Sequence, residues 1–297
     1  MARRRHPPQQ DPPERPQHDE GRQVGHAGTT VATALALTGG GRFGWPSPVD
    51  ASADALPDDL VPVPDVGRRY QTSRRVRLGD ADQHGRLRLD ALARLLQDVG
   101  NDDFADAGLD PSAPWVARRT VVWSAAWPRL GDRVAITTFC GGLGSRWGER
   151  RSSIRSEAGD GRVEVASVWV YLGEDGDRPT RLPDWFVDTY GAAAGGRTVA
   201  ARLSHPGPPD GARARPWPLR ATDLDVLRHV NNAATWQAVK DEASRRGVVP
   251  ARAELEYGAA LEPTDDVALV SDPAPGGFRL WLTVEGKVRA SALVSGA

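Results

Sequence analysis

Residues 221–232 read ATDLDVLRHVNN, and how the chain divides turns on this stretch. Two carboxylates, a histidine and two asparagines crowd between a strand-like run and a helix-like run. The segment that leads into it, LRATDLD (Leu219–Asp225), has a counterpart in VRLGDAD (Val76–Asp82). The likeness extends outward. RLGDRVAI (Arg129–Ile136) parallels EPTDDVAL (Glu262–Leu269), and VEVASVWV (Val163–Val170) parallels KVRASALV (Lys287–Val294). Strand, loop, long helix and antiparallel meander follow in the same order twice, which implies duplication of one α+β unit.

In the first unit, Leu89, Leu92, Leu95, Leu96 and Val99 recur at helical spacing, with Gly108 as a stop. Four β-rich runs between Trp115 and Gly173 follow, broken by RLGD and EAGDG turns, and LPDWFVDTYGAAAGG reads as a terminal helix. In the second unit NNAATWQAVKDEASRRG is the helix, followed by four strand-like runs. The expected fold is α+β, a tandem double hotdog in which each repeat wraps an antiparallel sheet round a long helix. The expected boundaries are a disordered tail over 1–66, repeats at 67–196 and 212–297, and a proline-bearing linker at 197–211. Proline, glutamine and mixed charge dominate the tail, which offers too little apolar surface to offset ordering entropy.

The chain has 297 residues and a formal net charge of −1, so charge gives no reason to expect a nucleic acid partner. A single cysteine, Cys140, excludes a disulfide scaffold and a four-cysteine metal site; it reads as a buried hydrophobe rather than a nucleophile. The six histidines show neither HxxxH nor HExxH spacing, so no metal is expected. No run approaches the roughly 20 apolar residues of a membrane span. Val31–Leu37 is too short and too late for a signal peptide, and the expected location is cytoplasmic.

Two readings of the opening stretch stand side by side. In the first, Asp225 or Asn231 caps the helix, Asp223 bonds the loop backbone and His229 is a satisfied core residue. In the second, Asp225 and His229, four residues apart, supply a base or nucleophile and a proton donor. The helix start then presents N–H groups to an oxyanion, and the asparagines orient water or carbonyl.

RATDLDVLRHVNNAATW closely resembles the second-repeat motif of the acyl-acyl-carrier-protein thioesterases, the double-hotdog enzymes of bacteria and plant plastids. VRLGDADQHGRLRLDALARLLQDVGNDD and WVARRTVV resemble their first repeat, and the likeness runs from about Tyr70 to the C-terminus. It implies hydrolysis of a fatty acyl thioester carried on acyl carrier protein, with no cofactor. It places Asp225 and His229 at catalytic positions, with Asn231 in the same segment. Leu227 stands where the plant enzymes have a catalytic asparagine, and Ala260 and Leu261 replace their glutamate–cysteine pair. The expected mechanism therefore uses Asp225 as base or nucleophile, His229 to position the carbonyl or protonate the thiolate, and N–H groups near Val230–Asn232 for the oxyanion.

The substrate-binding set is Asn232 and Asp82, with Leu92 and Leu96 along the acyl tail. Their spacing by itself favours ordinary core for Leu92 and Leu96. The first-repeat loop GDADQHG lacks the HVNN continuation and is expected to be a degenerate centre. Arg228 sits where hotdog loops often carry glycine. Basic stretches Arg68–Arg77 and Ser145–Arg151 are candidates for docking the acidic carrier, or are solvated strand faces. A homodimer is possible. The alternatives are a hotdog acyl-CoA thioesterase and a non-catalytic acyl-binding protein.

Overall fold

The computed structural model describes residues 56–110, 114–173, 178–226 and 228–296. Most of the expected tail, Val31–Leu37 included, and Leu227 lie outside the described residues. The described residues form ten strands, β1 (Arg69–Arg75), β2 (Trp115–Ala126), β3 (Arg133–Leu143), β4 (Trp147–Ser156), β5 (Arg162–Tyr171), β6 (Ala214–Pro216), β7 (Pro250–Tyr257), β8 (Val267–Ala274), β9 (Gly277–Val284) and β10 (Lys287–Gly296). Three helices accompany them: α1 (Leu89–Asp106), α2 (Asp184–Ala194) and α3 (Asn232–Arg245). The class is α+β.

All ten strands join one sheet in the order β1-β3-β4-β5-β2-β7-β10-β9-β8-β6. Read inward from either edge, the two halves follow the same sequence of strands. They meet where β2 pairs antiparallel with β7, from Arg119 opposite Glu256 to Trp123 opposite Arg252. One face of the sheet carries α1 and α3, which lie against each other. Leu89, Leu92, Val99, Trp236, Val239 and Ala243 bury there against Val122, Val165, Leu255 and Ala292. Each fully buried leucine or valine removes enough apolar area to contribute roughly 1.5–3 kcal/mol.

Local chemistry ends these elements where the sequence indicates. Gly108 turns at φ +71° just past α1, and Gly195 closes α2 in the left-handed region at φ +57°. Asn231 begins α3, its side chain accepting the Ala233 N–H at 2.7 Å.

Three expectations change. The boundary at residue 66 falls inside a placed segment: Leu60 is buried against Val121 and Ala166, and the Arg151 guanidinium donates to the Val61 carbonyl at 3.0 Å. A short apolar anchor thus outweighs the proline-rich composition around it. Residues 197–211 are no free linker. The Trp147 and Trp281 indoles donate to the Val199 and Pro206 carbonyls, each at 2.8 Å, and pin the segment to the sheet. Finally, the match of Val163–Val170 to Lys287–Val294 is out of phase. Val163 and Val165 face the helices, and so do Ala290 and Ala292, residues an odd number of steps out in that match. A register shift between Val288 and Ala290 reverses the side-chain alternation.

Candidate active site

The described residues of the two loops preceding α1 and α3 share a set of backbone hydrogen bonds at a constant offset of 143 residues, from Asp82 to Asp225. The Arg77 and Arg220 N–H groups donate to the Asp80 and Asp223 carboxylates at 2.9 Å. Arg88 and Asn231 N–H donate to the carbonyls of the same aspartates at 2.9 and 2.8 Å. Asp82 and Asp225 N–H donate to the Arg86 and His229 carbonyls at 2.7 and 2.9 Å. The tight turn between needs a left-handed residue. Gly85 supplies it at φ +74°, but Arg228 is forced to φ +64°. Its side chain is exposed. Replacing Arg228 with glycine is expected to stabilise the fold by about 0.5–1 kcal/mol, the left-handed penalty less glycine's extra entropy. Urea denaturation measures this.

In the second loop, the half-buried Asp225 carboxylate accepts the His229 N–H at 3.1 Å. The His229 ring is exposed, so it is no core histidine. Asn231 acts as the helix cap. The N–H groups expected to hold an oxyanion are partly spent: Val230 donates to Leu261 and Asn231 to Asp223. Among the described residues the Asn232 N–H has no acceptor, which leaves it as the donor at the positive end of α3.

Asn232 also lines a cavity of about 50 Å³ between α1, the first-half sheet and α3. Leu92 and Leu96 line it, as do Trp236, Tyr257 and Arg150. The structure therefore brings Asn232, Leu92 and Leu96 together as one wall set. Asp225, His229 and Asn231 lie outside that lining, in the loop that ends at Asn232. Sequence reasoning missed the polar part of the lining. Thr120 and Ser167 hydroxyls bond at 3.1 Å, and Arg150, held by Asp103 at 2.6 Å, stands near the far wall. Burial pushes the Tyr257 phenol well up, so it stays protonated, and its O–H reaches the Asn232 carbonyl at 3.5 Å.

Asp82 lies elsewhere. It borders a much smaller cavity of about 10 Å³ with Lys240 of α3, whose ammonium is 3.0 Å from its carboxylate. Burial alone would raise the Asp82 carboxyl, but the Arg86 and His84 N–H groups and the Lys240 ammonium outweigh it and hold the group at about 2. A depressed carboxylate contributes stability above its unfolded value near 3.8, and loses it as pH falls toward 2. Lys240→Met is expected to cost about 1–2 kcal/mol at pH 7 and progressively less below pH 4. Denaturation at pH 7 and pH 3 reads the difference.

Other expected features resolve simply. Cys140 is buried, and burial pushes its thiol up to about 11, against a nucleophilic role. His205, Glu254 and Glu256 bring ligand-capable atoms within 4.8 Å of one another, although no sequence spacing announced it. Their donors and acceptors serve the fold. Glu256 accepts the Ser204 and His205 N–H groups at 2.7 and 3.1 Å, and Glu254 lies 3.9 and 3.7 Å from Arg119 and Arg252. The His205 contact holds the Glu254 carboxyl below its usual range, against the opposing effect of burial. The cluster clips the segment before β6 onto β7. The candidate docking arginines are largely spent inside the chain. Arg68 pairs with Asp103 and Asp106, Arg74 with Asp102, and Arg151 is fully buried. Arg69, Arg75, Arg77 and Arg146 remain exposed. No described helix is long and apolar enough to cross a membrane.

The fold is shared with solved structures. A 12:0-ACP thioesterase from Umbellularia californica superposes with a TM-score of 0.66 at 18% identity, covering 77% of this chain and 97% of that one. An acyl-ACP thioesterase from Bacteroides thetaiotaomicron gives 0.65 at 16% identity, covering 77% and 98%. With the sheet and helices described, this likeness shows a fold of hotdog type. The sequence narrows it. Residues 67–190 match the acyl-ACP thioesterase N-terminal domain. The uncharacterized protein Rv2001 of Mycobacterium tuberculosis is 32% identical over 238 residues, 79% of this chain and 95% of the relative. The chain belongs to the acyl-ACP thioesterase family and is a thioester hydrolase.

Proposed function

We propose that the chain is a tandem double hotdog that hydrolyses fatty acyl groups from acyl carrier protein at its second-loop centre. The observation that carries this reading is Asn232. It offers a helix-terminal N–H and lines the cavity, directly after the loop that holds Asp225 and His229. The mirrored strand order about the β2–β7 pair supports the tandem arrangement.

The acyl tail lies against Leu92 and Leu96, with its thioester carbonyl at the start of α3. Asp225 takes a proton from water as the water oxygen attacks the carbonyl carbon. The oxyanion forms against the Asn232 N–H, at the positive end of the helix. Collapse breaks the C–S bond. The proton held by Asp225 reaches the departing sulfur by way of the His229 ring, giving free acid and thiol. Asn231 keeps the helix start in place. Asp82 belongs to the first loop, where its pairing with Lys240 and Arg86 leaves a structural role.

The decisive experiment incubates the purified chain with a panel of acyl-acyl-carrier-protein and acyl-CoA thioesters and identifies the released acids. Salt-sensitive turnover of the carrier-bound set supports the proposal. Turnover of the CoA set alone assigns the substrate to CoA, and equal turnover of both sets at all salt concentrations removes carrier-protein docking from the proposal. No turnover of either ends the enzymatic reading.

A further inference from the structure

Helix α3 reaches the first loop through Lys240, and the repeat relates α1 to the second loop in the same way. The offset of 143 residues that superposes the loops also carries the start of α1 at Leu89 to the start of α3 at Asn232, and Gln97 to Lys240. The Lys240 contact is visible: its ammonium crosses from α3 to Asp82, in a cavity that Leu89 also lines. The corresponding pair, Gln97 and Asn232, lines the larger cavity. The packing of α1 on α3 thus brings Gln97, from the opposite half of the chain, into the cavity that Asn232 lines where the second loop ends.

We propose that Gln97 is a catalytic residue of the second-loop centre, its side-chain oxygen accepting one hydrogen of the attacking water while Asp225 takes the other. This rests on the thioesterase reading above and adds to it a residue from the first half of the chain. The chemical contrast with Lys240 explains the asymmetry of the two loops. An ammonium at this position locks the opposing aspartate in a permanent ion pair and consumes it as a base. A glutamine carries no charge, so no ion pair forms from this position. Its side chain is also one bond shorter, and the cavity of about 50 Å³ that it lines with Asn232 is large enough for a water. The amide oxygen accepts a hydrogen bond, and a water held between two acceptors has its oxygen lone pair turned toward the carbonyl. The first loop, with Lys240 across from Asp82, is silent for the same reason that the second is active.

The test compares the full-length protein with Gln97→Met, Gln97→Lys and Lys240→Gln, using steady-state hydrolysis of the best acyl thioester from the panel, with melting curves for each. Gln97→Met keeps the volume and removes the acceptor. It should lower kcat roughly 10²-fold, the scale of a misplaced reactant, with KM changed less than about threefold. Gln97→Lys should be at least as inactive, because it recreates the ion pair of the first loop. Lys240→Gln should melt at a lower temperature yet keep the parent kcat. Parent-like kcat in both Gln97 variants, with Asp225→Asn inactive, overturns the role of Gln97 and leaves the thioesterase reading standing. Parent-like kcat in Asp225→Asn as well overturns both. Loss of activity that follows melting temperature across all variants, Lys240→Gln included, shows Gln97 to be structural and overturns the proposal.

Discussion

Asp225→Asn is expected to lower kcat by about 10³-fold with little change in KM or melting temperature. The range for removing a positioned general base is roughly 10²–10⁴. The asparagine oxygen still accepts the His229 N–H that the carboxylate now takes at 3.1 Å, so the turn survives the change. What disappears is the ability to hold a proton while the tetrahedral species forms. Steady-state hydrolysis by the folded variant checks this, and a circular dichroism melt confirms that the loop has not collapsed. A kcat within threefold of the parent would remove Asp225 from the mechanism. The centre would then have to work without a carboxylate base, since the Asn232 N–H can polarise a carbonyl but cannot take a proton from water.

The duplicated architecture was legible because each element announces itself locally. Leu89, Leu92 and Val99 repeat at helical spacing and do bury. RLGD and EAGDG mark turns where strands reverse. The loop aspartates that align in the sequence, Asp82 with Asp225, make the same backbone hydrogen bond in the structure, to the Arg86 and His229 carbonyls. What escaped the sequence is what depends on partners far away along the chain. Asp82 meets Lys240 across 158 residues, and Arg118 reaches the Tyr257 carbonyl across 139. No window of local periodicity contains such pairs. Applying the loop offset to the helices would have paired Gln97 with Lys240 from sequence alone. The oxyanion donors were misjudged for a related reason. Which N–H groups are free at a helix start depends on acceptors such as the Leu261 carbonyl, supplied by the loop between β7 and β8. Polar residues in the cavity were missed because Arg150 and Thr120 sit in strands whose inward face reads as mixed until the sheet is assembled.

Arg151→Ala is expected to be the most destabilising single change, at about 3–5 kcal/mol, the range for breaking a buried ion pair from one side. The guanidinium is fully buried on the sheet face opposite α1 and α3. It donates to the carbonyls of Val165 and Val61 and lies 3.3 Å from the Glu164 carboxylate. Burial depresses the Arg151 guanidinium against the attraction of Glu164 and Glu149, so the charge is maintained by its partners. Truncation removes three donors at once. The Val61 and Val165 carbonyls are left buried, and Glu164 keeps only Arg155 and Ser153. The anchor at Leu60 should loosen first, because its neighbouring carbonyl loses the contact that fixes it to β4. For a domain of this size each kcal/mol moves the midpoint by about 2–4 °C, so the melting temperature should fall by about 6–20 °C. The effect should be on stability alone. Arg151 faces away from the cavity, and the fraction that remains folded should turn over substrate at the parent rate. A variant as stable as the parent would mean that the segment around Leu60 contributes nothing to the fold. A stable variant with lost turnover would place a second functional surface on the outer face of the sheet.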